Sequence, residues 1–227
     1  MEKANCRICT DKSLAVKKLT DDEVDIIGNN CVNVRFKTGD IIIKQDSLST
    51  NVAYIKTGLV KIHIKGPIKE MIMNIIKAPT YLCLPSSFGD KTYHFSATAI
   101  DNNTSVCFID RETFKEFVHT NGSFAYEILM ELSKGQLQSI HNCVNNAQKN
   151  TIGKIAEILL YFSTDIYSST TYTLPISRQD LADMACITRE SVSRILTDFH
   201  NEGILLIDGK VITILDEKRL EQISERG

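Results

Sequence analysis

The sequence predicts an α+β chain in three parts: a barrel or jelly roll of short antiparallel strands, then one long helix, then a compact unit of two helices and a hairpin. Three observations carry this reading. Between residues 31 and 109, short β-branched runs alternate with turn residues at a spacing of about 8–12 residues. From Ser123 to Lys149 few helix breakers interrupt an apolar pattern of helical period. Beyond Ser177, two capped helical segments precede an Asp-Gly turn set between apolar runs. The expected division is residues 1–109 for an arm and roll, 110–149 for the long helix and 150–227 for the C-terminal unit.

In chain order, Thr20 to Glu23 reads T-x-x-E, a capping box that opens a short helix carrying Val24, Ile26 and Ile27. The strand runs are Val32 to Phe36, Ile41 to Lys44, Val52 to Ile55, Leu59 to Ile64, Met71 to Ile76, Phe95 to Ala99 and Val106 to Ile109. Gly39-Asp40, Gly58, Gly66-Pro67 and Gly89-Asp90 separate them. Asp110 is placed to cap a helix with Phe114, Phe117 and Val118 on one face. After Gly122, residues Ala125, Ile128, Leu129, Leu132, Leu137, Ile140 and Val144 continue the period. A helix of that length spans about 40 Å. It either pairs with a copy of itself or packs as a core helix against the roll. Residues 151–165 read as a further apolar helix, and Ser168, Ser169, Thr170 and Thr171 as a polar loop.

Composition bounds the function. The chain has 227 residues, 43% hydrophobic and 24% charged, as folded globular proteins do. No apolar run reaches the ~18 residues of a membrane span, and the start at Met1, Glu2 and Lys3 lacks a signal-peptide core. A cytoplasmic protein without membrane contact is expected. No Gly-rich phosphate loop, H-E-x-x-H or G-x-S-x-G motif is present, so no enzyme is expected. The enzyme alternative is a cupin-like jelly roll, for which His63 and His94 alone supply too few ligands. Seven cysteines read mostly as free thiols, and only Cys6 and Cys9 lie close in sequence.

The C-terminal unit carries the chemistry. Ser177 to Asp180 caps one helix and Thr188 caps the next, with only Ala185, Cys186 and Ile187 between them. So short a turn forces a steep crossing, as in a helix-turn-helix. Ala182 permits close approach, and Val192 and Ile195 point inward. Arg189, Glu190, Ser193 and Arg194 then face outward in the first turns, where side chains that read base edges sit. The hairpin at Asp208-Gly209 forms a wing with Lys210 at its tip, placed to meet a phosphate. Ser177, Arg178, Gln179 and Thr188 complete the expected contact surface with double-stranded DNA. Charge argues the other way: residues 150–227 hold eight Lys or Arg against twelve Asp or Glu. Affinity must then come from a few cations gathered on one surface and doubled in a dimer.

The stretch SRQDLADMACITRESVSRILTDFHNEGIL resembles the DNA-binding motif of the cyclic-AMP receptor / fumarate-nitrate regulator (CRP/FNR) superfamily. KTGDIIIKQD and NVAYIKTGLVKIHI resemble that family's β-roll repeats. The resemblance covers nearly the whole chain. It implies a cyclic-nucleotide-binding-like β-roll, a dimerisation helix, a winged helix-turn-helix and a homodimeric transcription activator with RNA polymerase as second partner. It implies base contacts by Glu190 and Arg194, with Ser193 beside them, on a palindrome of TGA-containing half-sites. Cys186 departs from the motif, whose turn usually has Gly.

The sensory input is less legible. Cyclic-nucleotide members carry G-E-L and R-S-A; here Leu84-Pro85-Ser86 and Phe95-Ser96-Ala97 stand instead. Without the Arg a buried cyclic phosphate has no cation, so cyclic AMP is not expected. Tyr81, Leu84, Pro85, Phe88, Phe95 and Ser96 mark the pocket region, which either holds an apolar effector or is filled core. The oxygen-sensing branch holds an iron–sulfur cluster on four cysteines. Cys6, Cys9 and Cys107 match three of them, Ser13, Leu14 and Ala15 occupy the neighbourhood of the missing one, and Cys31 has the wrong spacing. Cluster, thiol switch and inert thiols all remain readings of these residues. A roll whose helical tail binds a protein partner is the non-DNA alternative.

Overall fold

The computed structural model describes residues 2–3 and 6–227. It divides into two compact units: residues up to Pro67 with Met73–Gln138, and Ile68–Ile72 with Ser139–Gly227.

The N-terminal strands are β1 (Glu2–Lys3), β2 (Cys31–Phe36), β3 (Ile41–Ile43), β4 (Asn51–Thr57), β5 (Leu59–Lys65), β6 (Glu70–Lys77), β7 (Thr80–Leu82), β8 (Ser96–Ala99) and β9 (Thr104–Asp110). They form two sheets, ordered β1-β2-β9-β4-β7 and β3-β8-β5-β6. In the first, β9 lies between β2 and β4, antiparallel to both, with Cys31 opposite Ile109 and Asn33 opposite Cys107. Ile43, Ile55, Val60, Tyr93 and Val106 form one buried cluster. The turn between β4 and β5 depends on Gly58, whose φ is +93°; a β-carbon there would lie 2.6 Å from Thr104 Cα.

The helices of this part are α1 (Asp21–Asn29), α2 (Leu84–Gly89), α3 (Arg111–Thr120) and α4 (Gly122–Gln148). Thr20 caps α1 with the expected reciprocal box, and Asp110 caps α3 by accepting from Thr113 N at 2.8 Å. Val52, Ile27, Phe114, Phe117, Phe124 and Ile128 build the second cluster, which ties α1, α3 and the start of α4 to the sheet. Strand β7 and helix α2 were not expected from the sequence. Both are too short to show a period, and α2 starts after a left-handed residue, Cys83, at φ 67°.

Helix α4 divides its apolar residues between two faces. Phe124 and Ile128 are buried. Tyr126, Met130, Leu137, Ile140 and Val144 are exposed, and with Ser133 they fall at alternating intervals of four and three.

The second unit holds α5 (Thr151–Tyr161), β10 (Thr171–Thr173), α6 (Arg178–Ala185), α7 (Arg189–Asn201), β11 (Leu205–Asp208), β12 (Val211–Ile214) and α8 (Glu217–Arg226). The apolar helix expected to reach residue 165 is α-helical only to Tyr161, then widens into a π-helical turn, Phe162–Tyr167. The stretch read as a polar loop gives way to β10, which pairs with β12 and completes a three-stranded sheet. Tyr172 fixes that strand by donating from its hydroxyl to Leu159 O at 2.8 Å. Ile155, Leu159, Leu181, Ile195, Leu205 and Leu220 are buried in this unit.

Candidate nucleic-acid interface

Helix α6 starts where the capping box places it. Ser177 Oγ accepts from Asp180 N at 3.1 Å, and Ser177 N donates to Asp180 Oδ2 at 2.9 Å. The helix ends at Cys186, left-handed at φ 56° and ψ 37°, which turns the chain sharply toward α7. Thr188 caps α7 by accepting from Ser191 N at 3.2 Å. Ala182, Val192, Ile195, Leu196 and Phe199 are buried, so the 3.6-residue period leaves the opposite face of α7 to solvent. Arg189, Glu190 and Arg194 are exposed there and Ser193 is half-buried, four polar side chains grouped at the N-terminal end of the helix.

The wing is a two-residue hairpin, but its turn is shifted by one residue from expectation. Asp208 pairs with Val211, so Gly209 and Lys210 form the turn, with Gly209 at φ +58°. Lys210 is exposed at its tip. Between α6, α7 and the wing lies an open concavity of about 460 Å³ lined by Ser177, Arg178, Gln179, Arg189 and Lys210, among others. Gln179 Nε2 donates to Asp183 Oδ1 at 3.0 Å. Among the described residues, the side chains of Arg178, Arg189, Arg194 and Lys210 make no hydrogen bond or ion pair. Elsewhere in the unit, Lys149 is neutralised by Glu157 at 2.9 Å and Arg219 by Glu202 at 2.5 Å. The acidic balance of the region thus coexists with unpaired cations around this concavity.

The six residues marked as a pocket region are not brought together. Tyr81 and Leu84 pack in the cluster around Phe114, where Phe88 also meets the Phe114 ring at 6.2 Å. Phe95 packs in the other cluster, against Tyr93 and its neighbours. Pro85 is exposed, and Ser96 Oγ is occupied as acceptor from Gln45 N at 3.0 Å. Tyr81 and Leu84 thus belong to one core and Phe95 to the other.

The cysteines, by contrast, converge. Cys6, Cys9, Cys31 and Cys107 line one cavity of about 30 Å³ with Lys12 and Lys56. Cys31, set aside on its spacing, stands beside Cys6 and Cys107 in that lining. That contact, with Lys12 and Lys56 near, holds the Cys6 thiol down at about 7. Cys107 is lowered by the same neighbour and by Lys56, while Cys31 is pushed up by its two partners and by burial. An iron–sulfur cluster does not fit these residues as they stand. A buried water needs about 10–15 Å³ of such volume, so 30 Å³ holds two or three waters and no multi-iron core. The neighbourhood of the missing cysteine is filled by buried Ala15, and no three His, Cys, Asp or Glu among the described residues are arranged to hold a metal ion. Nor is any helix among them long and apolar enough to cross a membrane.

Comparison with known proteins follows the same division. Residues 33–121 match the cyclic nucleotide-binding domain family and residues 153–223 the Crp-like helix-turn-helix domain family. The chain is 24% identical over 226 residues to the transcriptional activator protein Anr of Pseudomonas aeruginosa, covering 97% of this chain and 92% of that one. It is 26% identical over 200 residues to the nitrogen fixation regulation protein FixK of Bradyrhizobium diazoefficiens, covering 84% and 81%. The solved structure of FixK2 from Bradyrhizobium japonicum shares the fold, with a TM-score of 0.76 at 20% identity over 85% of this chain and 96% of that one. Joined in that order, the roll and the helix-turn-helix place the chain in the CRP/FNR family of transcription regulators.

Proposed function

We propose that the protein is a sequence-specific DNA-binding regulator that acts as a homodimer on a palindrome with TGA-containing half-sites. The observation that carries this reading is the exposed set Arg189, Glu190, Ser193 and Arg194 on α7, beside a concavity bearing Arg178 and Lys210, with all four cations free of internal partners. Glu190 accepts from cytosine N4 and Arg194 donates to guanine O6 and N7. Arg178, Gln179, Ser177 and Lys210 contact phosphates and set the register; Thr188 holds the start of α7. Each phosphate neutralised releases counterions, which supplies affinity despite the chain's net charge of −2.

The exposed heptad seam of α4 is the dimer contact, because five large apolar side chains on one helix face are buried by a copy of the same face. Dimerisation sets the two recognition helices about 34 Å apart, one turn of the duplex. The roll supplies the allosteric input by biasing that separation. Its effector is not a cyclic nucleotide, since Phe95 stands where the phosphate needs a cation. The similar Anr is a transcriptional activator by name, and we read the present chain likewise as an activator that works with RNA polymerase in the cytoplasm. Selection of random duplex DNA by the purified reduced protein tests the reading. Enrichment of a two-fold palindrome with TGA in each half supports it, and an unenriched pool overturns it.

A further inference from the structure

We propose that the N-terminal arm, strand β4 and helix α4 form a binding site for a free amino acid, a small molecule that carries both an ammonium and a carboxylate. The proposal stands on a cavity of about 190 Å³ with carboxylates from one element and ammonium groups from another, and on a buried hydroxyl in its wall that has no partner.

The charges divide by element. Helix α4 contributes Glu127 and Glu131, four residues apart and so on one face. The arm contributes Lys12 and Lys17. Neither lysine pairs with either glutamate among the described residues. Glu131 accepts from Thr80 Oγ1 at 2.8 Å through Oε1, and its Oε2 accepts nothing among the described residues. Glu127 meets Lys18, outside the lining, at 3.5 Å. Lys12 donates to a neutral acceptor, Arg7 O, at 2.9 Å. Lys17 is exposed, and its ammonium makes no hydrogen bond or ion pair among the described residues.

Tyr54 is the residue that points to a ligand. It is 7% exposed and its ring lies 4.8 Å from that of Tyr81, yet its hydroxyl makes no hydrogen bond among the described residues. A buried hydroxyl without a partner is costly, so the site is incomplete as it stands. Tyr54 lines the cysteine cavity too. Burial and then the charge of Glu131, which lines only the present cavity, push its pKa up to about 12. Tyr81 is satisfied by contrast: its hydroxyl lies 2.6 Å from Ser13 Oγ, which ties the arm to β7.

At about 10–15 Å³ for each water, 190 Å³ admits about a dozen heavy atoms, which suits an amino acid. The ammonium of the ligand takes Glu127 and Glu131, its carboxylate takes Lys12 and Lys17, and the Tyr54 hydroxyl bonds it between the two as donor or acceptor. A bound amino acid bridges the arm to α4. That this bridge serves as the allosteric input rests on the reading of α4 as the dimer contact; the binding itself does not.

The test is isothermal titration of the full chain, without DNA, with the protein amino acids one at a time at millimolar concentration. Saturable binding of one or a few is expected. The decarboxylated amine and the deaminated acid of the same skeleton should each bind at least about tenfold more weakly. Tyr54→Phe keeps the ring beside Tyr81 and should lower the affinity about tenfold while urea unfolding stays as in the wild type. Glu131→Gln should lower it at least as far. Failure of every amino acid to bind overturns the proposal, as does an amine or acid bound as tightly as its amino acid. Wild-type affinity in both variants also overturns it, by putting the ligand elsewhere. Because no DNA is present, each of these failures leaves the DNA reading standing.

Discussion

Ser177 and Asp180 each hold the other's backbone amide across the first turn of α6, at 3.1 and 2.9 Å. Two of the helix-start amides that have no helical acceptor are thereby satisfied, and Ser177 is fixed at the edge of the concavity beside Arg178. Ser177→Ala is expected to cost about 1 kcal/mol in urea unfolding and to weaken DNA binding. An unchanged midpoint would mean that the box is not formed in solution.

At the other end of α6, Cys186 holds a left-handed conformation that a β-carbon disfavours. Cys186→Gly should raise stability by about 1 kcal/mol, because glycine adopts that region without the steric cost. A lower melting temperature in calorimetry would refute the strain.

Base reading and phosphate contact separate by mutation. Glu190→Ala should relax preference at one base position more than it lowers non-specific affinity, measured by repeating the DNA selection; an equal loss on all sequences contradicts the base contact. Lys210→Ala should weaken binding to every sequence and flatten the salt slope by about one per protomer. A sequence-selective loss would remove Lys210 from the phosphate set.

Leu137 sits exposed in the middle of the α4 seam. Leu137→Lys places two unpaired charges in the dimer contact, which should raise the dimer dissociation constant about 100-fold or more while circular dichroism keeps its native form. Sedimentation equilibrium gives the answer, and an intact dimer would put the contact elsewhere.

The Cys6 thiol should react at a lower pH than an ordinary one. The thiolate is the reacting form, so a lowered pKa moves the rise in rate to lower pH. Alkylation of Cys6 by iodoacetamide should be half-maximal near pH 7, with Cys31 contact first and Lys12 and Lys56 next as its causes. Lys56→Gln should move the profile upward in peptide-resolved mass spectrometry; no movement would mean that Lys56 does not act on Cys6.

Local chemistry was legible in the chain itself. The boxes at Thr20 and Ser177, the caps at Asp110 and Thr188, and the long helix depend on residues three or four apart, and each forms as read. The inward set Val192 and Ile195 and the outward set Arg189, Glu190 and Arg194 follow from one helical period. Short elements escaped, as β7, α2 and β10 did, because a few residues carry no period and tertiary pairing decides them.

Sequence alone thus determined the order of parts, the caps and the face of α7 that meets solvent. Only the tertiary structure decided what strand pairing controls. It split Tyr81 and Phe95 between two cores, and it brought Cys31 into one cavity lining with Cys6 and Cys107. It also revealed that Arg178, Arg189 and Lys210 of an acidic region stand unpaired around one concavity. Spacing along the chain sets local geometry through bond lengths and helical period. Convergence of distant side chains is set by sheet register and packing, which no local pattern encodes.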